Sequence, residues 1–262
     1  IIPHFYTSVG VLIYGVSSIF VTRNPNILIA SFYFLFAVRS KSDFAAKIRK
    51  IFSPSFLLPA GIAFLIPVIL QCLVWYRMSG HFIIRSYNSN ETFSFFFPHT
   101  IAVLFSIRKG LFFYSPILAI SLFGLCYCKN EKSRSITFLS ILTPIFLHLW
   151  ITAAWDNWQY GGSFGQRPFV DFYPFYAIAL CFVIEKLSSS HILFANGRTC
   201  SLLKFFIPLF VVFILASSKL MLAYWHGVLP FANASMTNIL DVFNWNFDEI
   251  RNTILEFIGV RG

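Results

Sequence analysis

The residues richest in chemistry lie in one stretch, Trp155-Asp-Asn-Trp158-Gln-Tyr160-Gly-Gly-Ser-Phe-Gly-Gln-Arg167-Pro-Phe-Val-Asp171-Phe-Tyr-Pro174. Gly161, Gly162 and Gly165 let the backbone turn tightly and approach a ligand closely. Trp155, Trp158 and Tyr160 offer flat faces and polar edges, a combination that suits a sugar ring. Arg167 precedes an apolar run, and Pro168 fits the first turn of a helix. A guanidinium beside the positive end of a helix makes an anion site, with phosphate as its natural ligand. Asp171 either joins that site or pairs with Arg167 along the helix surface. Tryptophan and tyrosine at a membrane interface also form belts that bind nothing, so the motif carries both readings.

A second segment repeats the arrangement. Ser106-Ile-Arg108-Lys109-Gly-Leu-Phe-Phe-Tyr114-Ser-Pro116 also places cations before an apolar run. Two such helix ends side by side would gather a phosphate or pyrophosphate; the competing reading is that Arg108 and Lys109 snorkel to lipid phosphates. Arg23, in the turn Thr22-Arg-Asn-Pro-Asn26, is a third cation that could face a headgroup or simply anchor the turn. Lys219 and His148 fall within apolar runs and are expected to be packed and satisfied rather than catalytic. His99 and His226 are isolated, and no His/Cys cluster has metal-ligand spacing, so neither a metal nor a cofactor is expected.

These residues must be positioned by elements that live in lipid. The chain is 57% hydrophobic and 11% charged, with mean hydropathy +0.72; soluble domains carry roughly 25% charged residues. A helix needs about 20 apolar residues to cross hydrocarbon, and candidate spans fall at roughly 4–22, 25–38, 56–76, 111–128, 136–155, 169–185 and 201–224, of which the second is short. An eighth run, 93–107, is broken by Pro98 and His99 and reads as an interfacial or re-entrant helix. The expected fold is an all-α, polytopic transmembrane helical bundle of about seven spans plus an interfacial helix. Residues 1–224 form the bundle and 225–262 an outer-face amphipathic tail, in which FNWNFDEIRNTILEFIGV has apolar residues at helical spacing.

Charge sets the orientation. Alternation puts eleven basic and three acidic residues on one side, among them Arg39, Lys47, Lys129 and Lys186, and eight basic and seven acidic residues on the other. The first side is cytoplasmic. Loops 77–110 and 156–168 and the tail are then outside, and the net charge of +10 is accounted for without nucleic acid. Cys72, Cys126, Cys128, Cys181 and Cys200 lie in spans or near their cytoplasmic ends and are expected as free thiols. The chain begins at Ile1, which reads as a fragment or processed product.

SxRKGLFFYSP, then a span, a basic loop, another span and WxxWxxGGSFGxRxxxDxxP, resembles the later part of GT-C superfamily glycosyltransferases. The likeness is to bacterial multi-spanning proteins related to protein mannosyltransferases and lipid-A aminoarabinose transferases, and covers roughly residues 10–185. The turn at Arg23, following Gly15, is similar to their Gly…(T)R-x-x-N segment. The resemblance implies a polyprenyl-phosphate-linked sugar as donor, membrane lipids as surroundings and transfer on the periplasmic face of a bacterial inner membrane. It places the catalytic acid in a first outer loop upstream of this chain, so no catalytic residue is assigned here and the acceptor is open. Arg167, Arg108, Lys109, Arg23, Trp155, Trp158, Tyr160 and Asp171 are the expected substrate-binding residues. A transporter or flippase of an anionic lipid or lipid-linked sugar is the alternative, since the same cradle could bind without chemistry; a structural subunit docking through the tail is a third reading.

Overall fold

A backbone in hydrocarbon must satisfy its polar groups within its own segment, and helix is the open-chain solution. The computed structural model describes residues 24–38, 40–84, 91–128, 138–193, 199–244 and 255. These are mostly helical. After a 3-10 turn at Asn24–Ile29 come α1 (Ala30–Leu35), α2 (Lys41–Ile51), α3 (Pro54–Ser79), α4 (Thr100–Phe105), α5 (Leu111–Tyr114), α6 (Pro116–Cys128) and α7 (Phe138–Ala154). A 3-10 turn at Arg167–Phe172 leads into α8 (Tyr173–Ser189), followed by β1 (His191–Leu193), β2 (Thr199–Ser201), α9 (Leu203–Trp225) and α10 (Met236–Asn244). Among the described residues, three helical segments are long and apolar enough to cross a membrane: Pro54–Ser79, Arg167–Ser189 and Leu203–Trp225. Pro25–Leu35, Pro116–Tyr127 and Phe138–Ala154 are shorter apolar helices at three further expected positions. The expected span at 4–22, with Arg23 beside it, lies outside the described residues.

The chain divides into two compact units, residues 1–92 with 128–151 and residues 93–127 with 152–262. In the first, the expected basic connector at 39–55 is instead largely the helix α2. Its start is a reciprocal cap: Asp43 N–H donates to Ser40 Oγ at 3.1 Å and Ser40 N–H donates to Asp43 Oδ2 at 2.9 Å. Lys47 Nζ donates to the carbonyls of Tyr33 and Phe36 at the end of α1 and lies over the Tyr33 ring, which fastens the two helices. Burial lowers the Lys47 pKa. Pro54 opens α3, and Gly80, at φ 75°, closes it with an N–H bond to Tyr76 O.

In the second unit, α8 and α9 are joined by the β1–β2 hairpin, in which Ile192 pairs with Cys200. The helix α6 crosses α8 through Gly124 at very short range. A Cβ on Gly124 would stand 1.8 Å from Ala179 O, so no larger residue fits without separating the helices. The interfacial helix expected over 93–107 is confined to α4. Pro98 has no N–H and disfavours helix in the residue before it. Residues 93–99 are instead strapped to the end of α7, with Ser94 N–H donating to Ala154 O at 2.6 Å and His99 N–H to Ala153 O at 2.8 Å. The tail does contain an amphipathic helix, α10, which ends where most of the stretch singled out in the sequence begins; residues 245–254 and 256–260 of that stretch lie outside the described residues. Cys72, Cys126, Cys181 and Cys200 are free thiols.

Gly124→Ala is expected to destabilise the protein in detergent by about 1–3 kcal/mol, the usual cost of overpacking. Gly61→Ala, in α3 with open space around it, is expected to be neutral or stabilising by up to about 1 kcal/mol. Equal melting temperatures for the two variants would refute the close crossing.

Candidate functional site

The site grows from a lysine. The turn that ends α4 carries Arg108 and Lys109, and Tyr114 O–H fixes it by donating to Ile107 O at 2.9 Å. Lys109 is only 3% exposed. Its ammonium donates to the backbone carbonyl of Ser163 and sits 5.3 Å from the centre of the Tyr224 ring. That geometry draws three segments together: the α4–α5 turn, the glycine loop after α7, and the end of α9. Burial lowers the Lys109 pKa to about 8, because the interior disfavours the charged form.

Around this tie the aromatic rings interlock. Tyr114 and Phe164 meet edge to face at 5.1 Å, as do Tyr224 and Phe231 at 5.1 Å, and Phe164 and Tyr224 are tilted to each other at 5.7 Å. Beneath them Leu220, Ala223, Leu229, Ile239 and Val242 form a buried cluster that includes Tyr114. Gly165 adopts φ +51°, where a side chain would be strained, and a Cβ there would stand 3.3 Å from Tyr114 Cβ.

A cavity of about 310 Å³ opens beside the cluster. Arg167, Gln166, Tyr173, Ser217 and Ser218 are among its polar lining residues, and Leu111, Phe164, Val170 and Met221 are among the apolar ones. Arg167 is exposed and lies within electrostatic reach of the Tyr224 hydroxyl, so Tyr224 is near both cations. The Gln166 side chain is buried; its Nε2 lies 3.5 Å from Trp158 O, and its Oε1 has no hydrogen-bond partner. Among the described residues, none lining this cavity is acidic.

The expected site residues are thus gathered unevenly. Arg167 lines the cavity, whereas Lys109 does not and is bonded to Ser163, the residue before the lining Phe164. Arg108 is exposed and its N–H bonds to Ser106 Oγ. Trp155 and Trp158 are buried rather than laid open: Trp155 bridges Phe93 and meets Tyr160 edge to face at 4.6 Å, and Trp158 packs near His99. Neither they nor Tyr160 nor Asp171 is among the residues lining this cavity. The helix ends also differ from expectation. Lys109 precedes a single turn, α5, because Pro116 forces Ser115 out of helix, to φ −139° and ψ 70°. Arg167 opens a 3-10 turn, not an α-helix.

Tyr224, Gln166, Tyr173, Ser217 and Ser218 were not singled out from sequence. The pair of hydroxyls at 217–218 inside an apolar run was the available signal. Lys219, beside them, faces the tail: its Nζ donates to Phe243 O at 3.1 Å, a cation on the negative end of α10. His148 is buried.

The Lys109 environment predicts a pH dependence. With a folded pKa of about 8 and an unfolded value near 10.4, the unfolded chain holds more protons between those limits, so stability rises with pH there. The melting temperature in detergent is expected to climb between about pH 8 and pH 9.5, below the range in which tyrosines titrate, and Lys109→Met is expected to abolish the climb. An unchanged climb in that variant would show that another group is responsible. Comparison with known proteins finds no matching family model, no matching curated protein and no matching solved structure.

Proposed function

We propose that the chain is a membrane glycosyltransferase, or part of one, that takes a polyprenyl-phosphate-linked sugar as donor and transfers the sugar on the periplasmic face of a bacterial inner membrane. The observation that carries this reading is the cavity whose lining combines Arg167 and several hydroxyls with apolar side chains. An amphiphile with an anionic head matches that combination. Arg167 supplies a fixed positive charge and up to two parallel donors for phosphate oxygens. Ser217, Ser218 and Tyr173 add hydroxyls. A buried acceptor without a partner costs about 1–3 kcal/mol, and a sugar hydroxyl donating to Gln166 would offset that cost. The seven-span topology, with 186–200 cytoplasmic and 156–168 outside, belongs to the same proposal.

One feature favours a second reading. Acceptor activation needs a base within reach, and among the described residues this cavity's lining contains no carboxylate. A flippase or transporter of an anionic lipid would use the same cradle without one. The two readings part on whether sugar is transferred or an intact lipid changes leaflet.

Arg167→Ala, assayed in the longest natural form of the protein, is expected to lose one charged hydrogen bond, about 2–3 kcal/mol. That is roughly a 30- to 150-fold loss of affinity for the lipid-linked donor. A folded, membrane-inserted variant that binds donor like the parent would refute the assignment. Orientation is tested by cysteine labelling in a cysteine-free background, at two exposed positions. Asn157→Cys is expected to react with an impermeant maleimide in intact cells and Ser188→Cys only after permeabilisation. The reverse pattern would invert the topology.

A further inference from the structure

The tail helix α10 has more apolar surface than the protein covers. Ile239 and Val242 are buried in the cluster against α9. Met236, Leu240 and Phe243, at i, i+4 and i+7, form a second apolar stripe and are 53%, 55% and 56% exposed. Thr237, Asp241 and Asn244 occupy the remaining arc and are exposed. The start of the helix is fixed by Ser235, whose N–H donates to Asn238 Oδ1 and whose Oγ accepts from Asn238 N–H.

The depth of this helix can be read from its partner. Phe243 lies beside Lys219, bonded through its carbonyl and with its ring centre 5.9 Å from the ammonium. Lys219 is six residues before Trp225, the end of α9, or about 9 Å along the helix. Helices that lie in a bilayer interface are buried about 5–10 Å into the headgroup and acyl boundary. The surface is also continuous. On the same face of α9 as Lys219, one and two turns further in, Leu215 and Val212 are 62% and 57% exposed. They belong to a segment apolar enough to cross a membrane, so the cover they need begins where the α10 stripe ends.

We infer that α10 is a membrane-interface helix, seated with Met236, Leu240 and Phe243 against the acyl chains of the bilayer leaflet that surrounds the end of α9. The bilayer is the partner, and Thr237, Asp241 and Asn244 face water. Lys219 draws the C-terminal end of α10 to that depth. This inference stands independently of which reaction the cavity serves.

The test uses the full chain, with its five native cysteines replaced by alanine, reconstituted into phosphatidylethanolamine–phosphatidylglycerol vesicles. Single spin labels are placed at 236, 237, 240 and 241, and collision with oxygen is compared with collision with a water-soluble nickel chelate. The expected result is a higher oxygen-to-nickel ratio at 236 and 240 than at 237 and 241. Ratios equal at all four positions, or higher at 237 and 241, would overturn the inference. Labels at 236 and 240 shielded from both reagents would also overturn it, because a second copy or residues 245–262 would then be the cover. If Leu240→Cys does not fold, the 236–237 pair decides alone.

Discussion

Taking an ammonium ion out of water is costly, and one such ion organises the second unit. Lys109 recovers part of that cost from the Ser163 carbonyl and the face of Tyr224. Neither partner is a neighbour in sequence, so the ion can be buried only when the α4–α5 turn, the glycine loop and the end of α9 are all in place. The aromatic stack of Tyr114, Phe164, Tyr224 and Phe231 closes over the same junction and keeps the local dielectric low. The cavity beside it inherits its walls from these segments. Arg167 lines that cavity and is exposed, while Lys109 is committed to structure.

The α9 helix serves the site in two directions. Ser217, Ser218 and Met221 face the cavity, while Lys219, Leu220 and Ala223 face the tail. A helix in lipid with two occupied faces is held in rotation about its own axis. Its register relative to the 3-10 turn at Arg167–Phe172 then follows from packing on both sides, and so does the distribution of polar groups around the cavity.

The helical class was legible because apolar runs of membrane length leave little alternative to helix. Proline decided most of what was not. Pro98 limits the expected interfacial helix to α4, and Pro116 splits the expected span at 111–128 into a single turn and α6. The helix α2 was legible in principle from Ser40-x-x-Asp43, but its basic residues read as a loop. In the site, Arg167 and the glycines were readable because their chemistry is local. The burial of Trp155 and Trp158 was not, since sequence does not distinguish an aromatic belt from an aromatic core. Tyr224, Ser217 and Ser218 were missed because their role depends on a rotation of α9 that only tertiary contacts define.

The tie at Lys109 is made to a main-chain oxygen. Any residue at position 163 presents the same carbonyl, so the contact is blind to the side chain there but sensitive to chain length. Substitution of Ser163 leaves the acceptor where it is. Insertion or deletion of a single residue between Gly161, at φ +60°, and Gly165, at φ +51°, would move it away from the ammonium and strand a buried charge. Among descendants of this sequence, position 163 should drift in composition while the loop keeps its spacing and the glycines at 161 and 165.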